Sequence, residues 1–193
     1  IFILPLYVIV YFVIKKFSIL NFLLIPLGNI LMCLPVILMG MPLVKCFTTY
    51  IEQTTDYSVY LTRNLANIYQ LLPNIKIIGY ILFIITGLIF LGLLIYFIKR
   101  KKEISKKEMI SIGLLGVLIA VYFLPFMHER YMFMADTLSI IWYFIYRKNL
   151  YIPIIINLSS LAGYSVYLCG FKWMPLWIFS CLMLVVIINL FLD

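Results

Sequence analysis

Long apolar runs alternate along this chain with short clusters of charged residues. The charges mark off seven runs: Ile1–Ile14, Ile19–Val44, Ile75–Ile98, Met109–Phe126, Tyr131–Tyr146, Leu150–Leu168 and Met174–Leu192. Most of them approach the roughly 20 residues that an α-helix needs to cross a bilayer. Such runs cross membranes as helices, because hydrocarbon offers no partner to an unpaired backbone amide. We therefore predict an all-α, polytopic transmembrane helix bundle with about seven spans.

Composition and length refine this prediction. The chain is 66% hydrophobic and 11% charged, whereas a soluble domain is about half apolar and about a quarter charged. Its 193 residues fit a single transmembrane domain without a separate soluble one. The run Ile1–Ile14 lacks an initial Met and the basic start of a signal peptide, and it is short for a span. We expect residues 1–193 to be the C-terminal part of a longer chain, with the first span truncated.

The formal charge is +8, and the positions of the basic residues indicate how the chain is oriented in the membrane. Nucleic acid is not an expected partner, because the basic residues cluster at the ends of apolar runs, where Lys and Arg set topology. If Lys15–Lys16 is cytoplasmic, Lys99–Lys107 and Arg147–Lys148 share that side, which collects ten basic residues against five opposite. The segments Lys45–Asn74 and His128–Arg130 are then extracytoplasmic. We expect a multi-pass protein of the cell membrane whose first partner is the lipid bilayer.

The long outer segment Lys45–Asn74 carries a helical pattern. Its apolar residues recur at intervals of three and four: Tyr57, Tyr60, Leu61, Leu65, Ile68, Tyr69 and Leu72. This spacing predicts an amphipathic helix on the membrane surface, capped by Thr55 or Asp56 and ended by Pro73. The opposite face would carry Ser58, Thr62, Arg63 and Asn67. Such a helix either connects two spans over the bundle or forms a wall of an active site that faces outward.

A cluster of polar residues follows the fourth run: His128, Glu129, Arg130 and Tyr131, with Asp136 further on. On a continuous helix, Glu129 and Asp136 would share a face, with Asp136 roughly 10 Å deeper. A carboxylate at that depth must be paired or face water, so Asp136 should face the bundle interior. Two interpretations remain open. Asp136 bonds to a neighbouring helix in a purely structural role, or the cluster lines a cavity that opens outward.

Several chemistries are not indicated by the sequence. The four cysteines, Cys33, Cys46, Cys169 and Cys181, show neither a CxxC pair nor zinc-ligand spacing. Cys46 and Cys169 would face the same side, which leaves a disulfide between them open. There is a single His, and the chain has no Gly-rich phosphate loop and no GxSxG or HExxH motif. We therefore predict no metal site and no cofactor of these kinds.

The segment Pro125–Phe144, "PFMHERYMFMADTLSIIWYF", resembles a known pattern. It is similar to the bacterial relatives of the second mannosyltransferase of GPI assembly, within the GT-C superfamily of membrane glycosyltransferases, which carry a Met-His-Glu-Arg-Tyr run before a helix. The segment Asn64–Asn74, "NLANIYQLLPN", resembles part of a large outer loop of that family. Together the two segments cover about 30 of the 193 residues.

This resemblance implies an enzyme that moves a sugar from a polyprenyl-phosphate donor to a surface glycan or glycolipid at the outer membrane face. It implies a donor- or acceptor-binding role for His128, Glu129, Arg130 and Tyr131, and Asp136 falls where the family often has a polar residue. The catalytic acidic residue of the superfamily usually lies in a first outer loop, before the region that this chain covers. The catalytic residue is therefore left unassigned, with Glu129 or Asp56 as the base only if that earlier loop does not provide it.

The physical chemistry of the cations fits this expectation. Arg suits a phosphate because its planar guanidinium forms two hydrogen bonds at once. Arg130 would hold the donor phosphate, and Arg63 and Lys76 are candidates for a second contact. Asn67, on the polar face of the predicted helix, joins them as a candidate substrate-binding residue.

Two other functions stay open. A polysaccharide or lipid transporter would need a polar path to the cytoplasmic side, and only Ser139, Tyr143 and Asn157 could line one below Asp136. A non-catalytic membrane scaffold would use Asp136 to pair with another subunit.

Overall fold

The structure is a computed structural model that describes residues 4–14, 18–46, 48–49, 60–100 and 104–192. Seven principal helices follow one another: α1 (Leu4–Ile14), α2 (Leu24–Leu38), α3 (Lys76–Arg100), α4 (Lys106–Phe123), α5 (Phe133–Tyr146), α6 (Tyr151–Cys169) and α7 (Leu176–Leu192). Residues 43–46 and 48–49 are also helical. The all-α prediction is confirmed, and the helices fall within the predicted apolar runs or extend a few residues beyond them.

Within the described residues, three stretches are long and apolar enough to cross a membrane: Ile19–Leu38, Lys76–Arg100 and Tyr151–Cys169. The first comprises a 3₁₀ turn, Ile19–Leu23, followed by α2. Pro35 lies inside α2, and Gly40, with a φ of 97°, follows its end. Apolar helices of this length are compatible with a membrane protein.

Helix α4 forms the centre of the bundle. Every residue from Ile112 to Tyr122 is buried, and the helix packs against α1, α3, α5 and α7. A helix that is apolar around its whole circumference needs neighbours on all sides, and this arrangement provides them. Consecutive helices α4 to α7 also pack pairwise, so the segments that connect them meet at the ends of one bundle.

Side-chain hydrogen bonds link the end of α3 to the start of α4. Ser105 and Glu108 form a capping box, in which each side chain bonds to the backbone N–H of the other residue. Arg100 donates to Glu108 Oε1 at 2.6 Å. The Ser105 backbone N–H and then the Arg100 guanidinium lower the pKa of the Glu108 carboxyl. These bonds define the end of the bundle that carries the basic Lys99–Lys107 loop.

The predicted amphipathic helix in the outer segment is wrong over the described residues 60–72. The chain there forms strand β1 (Thr62–Arg63), a turn, and a 3₁₀ turn over Ile68–Gln70. Strand β2 (Met127–His128) pairs with β1. Three of the apolar residues that suggested the helix, Leu61, Leu65 and Tyr69, are instead buried in tertiary contacts, at 2–5% exposure. The predicted capping residues Thr55 and Asp56, like Tyr57 and Ser58, lie outside the described residues.

Candidate functional site

Two segments far apart in sequence meet through a short parallel strand pair. Thr62 is in register with Met127, and Arg63 with His128. The backbone N–H of Phe126 donates to the Leu61 carbonyl at 2.7 Å. Asn64 and Phe126 both have positive φ, 48° and 62°, which bends the chain sharply beside the pair. The pairing therefore brings the outer segment against the His128–Tyr131 motif.

The same outer segment packs closely against α6 at Gly163. A Cβ atom placed on Gly163 would overlap the backbone carbonyl oxygen of Asn64 and would come within 3.2 Å of the Glu129 Cβ. Only a residue without a side chain allows this approach of backbone to helix. Asn64, Glu129 and Gly163 therefore form the point where three elements converge.

Hydrogen bonds to α4 and α7 hold the segment in place. The Tyr69 hydroxyl donates to the Phe123 carbonyl at 2.8 Å, and the Ser180 hydroxyl donates to the Asn67 carbonyl at 2.6 Å. The Tyr122 hydroxyl in turn donates to the Ser180 carbonyl at 3.1 Å. Burial raises the pKa of the Tyr69 phenol, which keeps it protonated as a donor. Residues 60–74 are thus a rigid part of the bundle rather than a loose connector.

Asp136 has a hydrogen-bond partner on the neighbouring helix. The Ser160 hydroxyl on α6 donates to Asp136 Oδ2 at 2.7 Å. One turn further along α5, the Ser139 hydroxyl donates to the Asp136 carbonyl at 2.8 Å, and Asn157 Nδ2 donates to the Ser139 hydroxyl at 3.3 Å. The prediction that Asp136 faces the bundle interior is confirmed, and its position joins α5 to α6.

The assumption that Glu129 and Asp136 lie on one continuous helix is wrong. Glu129–Met132 forms a 3₁₀ turn, and α5 begins only at Phe133. Both acids instead contact α6, Glu129 beside Gly163 and Asp136 through Ser160, and the Tyr164 hydroxyl on that helix lies within electrostatic range of both. Tertiary packing against α6, rather than helical periodicity, relates the two acids.

Several polar side-chain atoms at this end of the bundle are buried without a hydrogen-bond partner among the described residues. They are Glu129 Oε2, Asp136 Oδ1, Ser159 Oγ and both polar atoms of the Asn67 amide. Glu129 is 4% exposed and Asn67 0%. Buried polar groups are normally hydrogen-bonded, and exceptions concentrate at functional sites. The unpaired carboxylate oxygens are acceptors, suited to donors such as sugar hydroxyl groups.

Two arginine side chains lie near the motif. Burial first, and then the charges of Arg130 and Arg63, lower the pKa of His128, while Glu129 opposes this shift. Arg130 is exposed, and its guanidinium carbon lies 5.6 Å from the centre of the Tyr131 ring. The Tyr131 and His128 rings meet edge to face, with centroids 5.9 Å apart. Arg130 is therefore at the surface, where it can reach an anionic group.

A pocket of about 420 Å³, which we call the loop pocket, opens beside the strand pair. Its lining comprises Tyr60, Leu61, Thr62, Arg63, Asn64, Tyr69, Gln70, Asn74, Lys172 and Leu176. Arg63 and Lys172 provide positive charge from two different elements, β1 and the α6–α7 connection. Asn64 lines the pocket and also contacts Gly163, so the pocket adjoins the position of Glu129.

The predicted substrate-binding residues are largely, but not entirely, brought together. Glu129, Arg130 and Tyr131 lie in one 3₁₀ turn. His128 precedes it in β2, where it pairs with Arg63. Asn67 is in the same outer segment but fully buried. Lys76, at the start of α3, is exposed and does not line the loop pocket. The roles of these residues in binding a substrate remain predictions.

Sequence reasoning missed Lys172 and Tyr164. Lys172 contributed only to the count of basic residues, yet it lines the loop pocket with Arg63. Tyr164 was not singled out, although Asn157, Ser160 and Tyr164 recur at intervals of three and four along α6, a spacing that puts polar groups on one face. This polar face on an otherwise apolar helix is the sequence pattern from which Tyr164 could be identified as a site residue.

Metal and disulfide chemistry find no support among the described residues. No group of three His, Cys, Asp or Glu side chains there could hold a metal ion. All four cysteines are free thiols. Cys46 lies within interaction range of the Cys33 thiol of α2.

Comparison with known proteins yields no relative. The chain matches no protein-family model, no curated protein and no solved structure. Function must therefore be argued from the residues and the geometry.

Proposed function

We propose that this chain is the membrane domain of a mannosyltransferase-like glycosyltransferase, which moves a sugar from a polyprenyl-phosphate donor to a surface glycan or glycolipid. In this proposal the seven helices cross the cell membrane, with Lys99–Lys107 in the cytoplasm. Residues 60–74 and the His128–Tyr131 motif face the outer compartment. The basic-residue asymmetry and the three helices of spanning length support this arrangement.

The observation that carries the proposal is the contact between the two segments that resemble the GT-C family. Asn64, which opens the first of these segments, and Glu129, in the second, converge on Gly163. The residues just before Asn64, Thr62–Arg63, pair as a strand with Met127–His128. A functional site requires side chains from separate segments to be held on rigid elements. The convergence of both resembling segments supports their joint use in one site.

The chemistry of the converging groups suits sugar transfer. An acceptor hydroxyl oxygen attacks the anomeric carbon, and the bond between that carbon and the phosphate oxygen breaks. The electron pair of that bond stays on the lipid phosphate, whose growing negative charge Arg130 stabilises. A carboxylate removes the hydroxyl proton. Glu129 and Asp136 provide buried acceptor oxygens for sugar hydroxyls, and Tyr164 lies within electrostatic range of both.

Transport through the bundle has less support. Below Asp136, two of the three possible liners, Ser139 and Asn157, bond to each other. Trp142, Ile152 and Ile156, at 0–1% exposure, fill the described interior around that level. A path blocked by packed side chains favours a site that opens to one face only.

The proposal is tested with the full-length protein in membranes. Arg130→Lys keeps the positive charge but removes the planar guanidinium and its paired hydrogen bonds to phosphate. We therefore expect sugar transfer to fall to background while membrane insertion is unchanged. Lys148→Arg, a cation at the other end of α5, is the matched control and should retain transfer. Normal transfer by Arg130→Lys would contradict the role of Arg130.

A further inference from the structure

We propose that the loop pocket binds a phosphate group, with Lys172 and Arg63 as its two cations. The inference rests on the proposed function in taking that group to be the phosphate of a lipid-linked ligand. It extends the sequence-based expectation, because it replaces Lys76 by Lys172 as the partner of Arg63 and leaves Arg130 its role at the departing phosphate.

Size and shape are the first argument. The pocket has a volume of about 420 Å³, within the range of about 300–1,000 Å³ that is typical of small-molecule sites. Its walls come from the β1 segment, the 3₁₀ turn over Ile68–Gln70 and the α6–α7 connection. Leu61 and Leu176 add apolar surface, which suits a ligand that has both a charged group and a hydrocarbon part.

Charge is the second argument. Arg63 and Lys172 line the pocket, and no carboxylate belongs to its lining in the described parts of the chain. An arginine guanidinium can donate hydrogen bonds to two phosphate oxygens at once, and a lysine ammonium contributes a compact point charge. Glu129 and Asp136 do not belong to the lining.

Rigidity is the third argument. Asn74 Oδ1 accepts a hydrogen bond from the Leu61 N–H at 2.9 Å. Gln70 Nε2 donates to the Leu65 carbonyl at 2.9 Å, and Tyr69 is bonded to the Phe123 carbonyl. These bonds fix the polar lining before any ligand arrives. A preformed site loses less conformational entropy on binding.

The test is equilibrium binding of radiolabelled farnesyl phosphate to the full-length protein in neutral detergent. We expect Lys172→Gln and Arg63→Gln each to weaken binding by about tenfold, the effect of one charge-assisted hydrogen bond. Lys172→Arg should restore binding, which separates loss of charge from local misfolding. Lys45→Gln, which changes an exposed cation outside the pocket, is the matched control and should bind as wild type does.

Neutral and soluble ligands identify the group that is recognised. Farnesol should bind with an affinity that neither substitution changes. If inorganic phosphate displaces farnesyl phosphate from the wild type but not from Lys172→Gln, the phosphate alone is sufficient. If it does not, while both substitutions still weaken farnesyl phosphate selectively, the pocket takes the phosphate only as part of a lipid.

The outcome that overturns the inference is unchanged affinity for farnesyl phosphate in both Lys172→Gln and Arg63→Gln. That outcome leaves the glycosyltransferase proposal standing if the wild-type protein still transfers sugar. Conversely, Lys172-dependent phosphate binding by a wild-type protein that transfers no sugar would retain the pocket and refute the proposed enzyme.

Discussion

The backbone carbonyl oxygen of Asn64 occupies the space that a side chain on Gly163 would need. Through this contact the outer segment packs against α6, and Asn64 lies beside Glu129. The contact links two regions 99 residues apart, the difference between positions 163 and 64, and it makes the site sensitive to a single methyl group.

Gly163→Ala should therefore destabilise the fold. The added Cβ must displace either the Asn64 backbone or α6, and overpacking of this kind costs about 1–3 kcal/mol. The measurement is the thermal unfolding of the purified protein in detergent. Gly92→Ala on α3 is the matched control, because nothing lies within 4 Å of its added Cβ. A wild-type unfolding temperature for Gly163→Ala would show that the outer segment does not rest on α6.

Glu129→Gln combined with Asp136→Asn should lower sugar transfer by at least about tenfold. Both changes keep the side-chain shape but remove the charged acceptors that we assign to sugar hydroxyls. Transfer is measured in membranes that contain equal amounts of protein. Thr137→Ala, at an exposed position on α5, should have no effect. Full activity in the double variant would instead favour a structural role, with Asp136 bonded to Ser160.

The stability of the protein should fall as the pH drops below the ordinary histidine pKa. The folded-state pKa of His128 lies below its usual value of 6.5, because of burial and the nearby Arg130 and Arg63. Below that usual value, the unfolded chain binds a proton before the folded one does, which favours unfolding. The stability that neutral His128 contributes is therefore complete above the unfolded pKa and is lost as the pH falls toward the folded pKa.

The check is a series of unfolding temperatures from about pH 8 to about pH 5, which brackets that ordinary pKa. His128 is the only histidine of the chain, so His128→Gln should flatten the profile in the region just below the ordinary histidine pKa. An unchanged slope there in His128→Gln would assign the pH dependence to other groups.

Ser105→Ala should loosen the connection between α3 and α4. It removes the side-chain oxygen that accepts the Glu108 N–H at 3.2 Å, and losing such a cap costs about 0.5–2 kcal/mol. Sugar transfer should be unchanged, because the capping box lies at the opposite end of α4 from the His128–Tyr131 motif. Hydrogen exchange of the first turn of α4 is the measurement. Exchange as slow as in the wild type would contradict a stabilising cap.

The helices could be predicted from the sequence, because uninterrupted apolar runs between charges leave few alternatives. The structure of the outer segment could not be predicted from its 3-and-4 spacing. Leu61, Leu65 and Tyr69 produce that spacing, but each packs separately into the bundle rather than along one helix face. The energetic cost of an unpaired charge in the membrane correctly predicted that Asp136 faces the bundle interior. Its partner Ser160, however, depends on how α5 packs on α6. Lys172 and Arg63 likewise meet only through the tertiary fold, so the loop pocket had no signature in the sequence.

The central claim is sugar transfer from a polyprenyl-phosphate donor, and one assay tests it most directly. The full-length protein is reconstituted in vesicles with radiolabelled polyprenyl-phosphate mannose and a glycolipid acceptor, beside vesicles that contain Arg130→Lys. We predict label on the acceptor with the wild type, background label with Arg130→Lys, and none when nucleotide-linked mannose replaces the lipid donor. Equal labelling by the wild type, Arg130→Lys and protein-free vesicles would contradict the account.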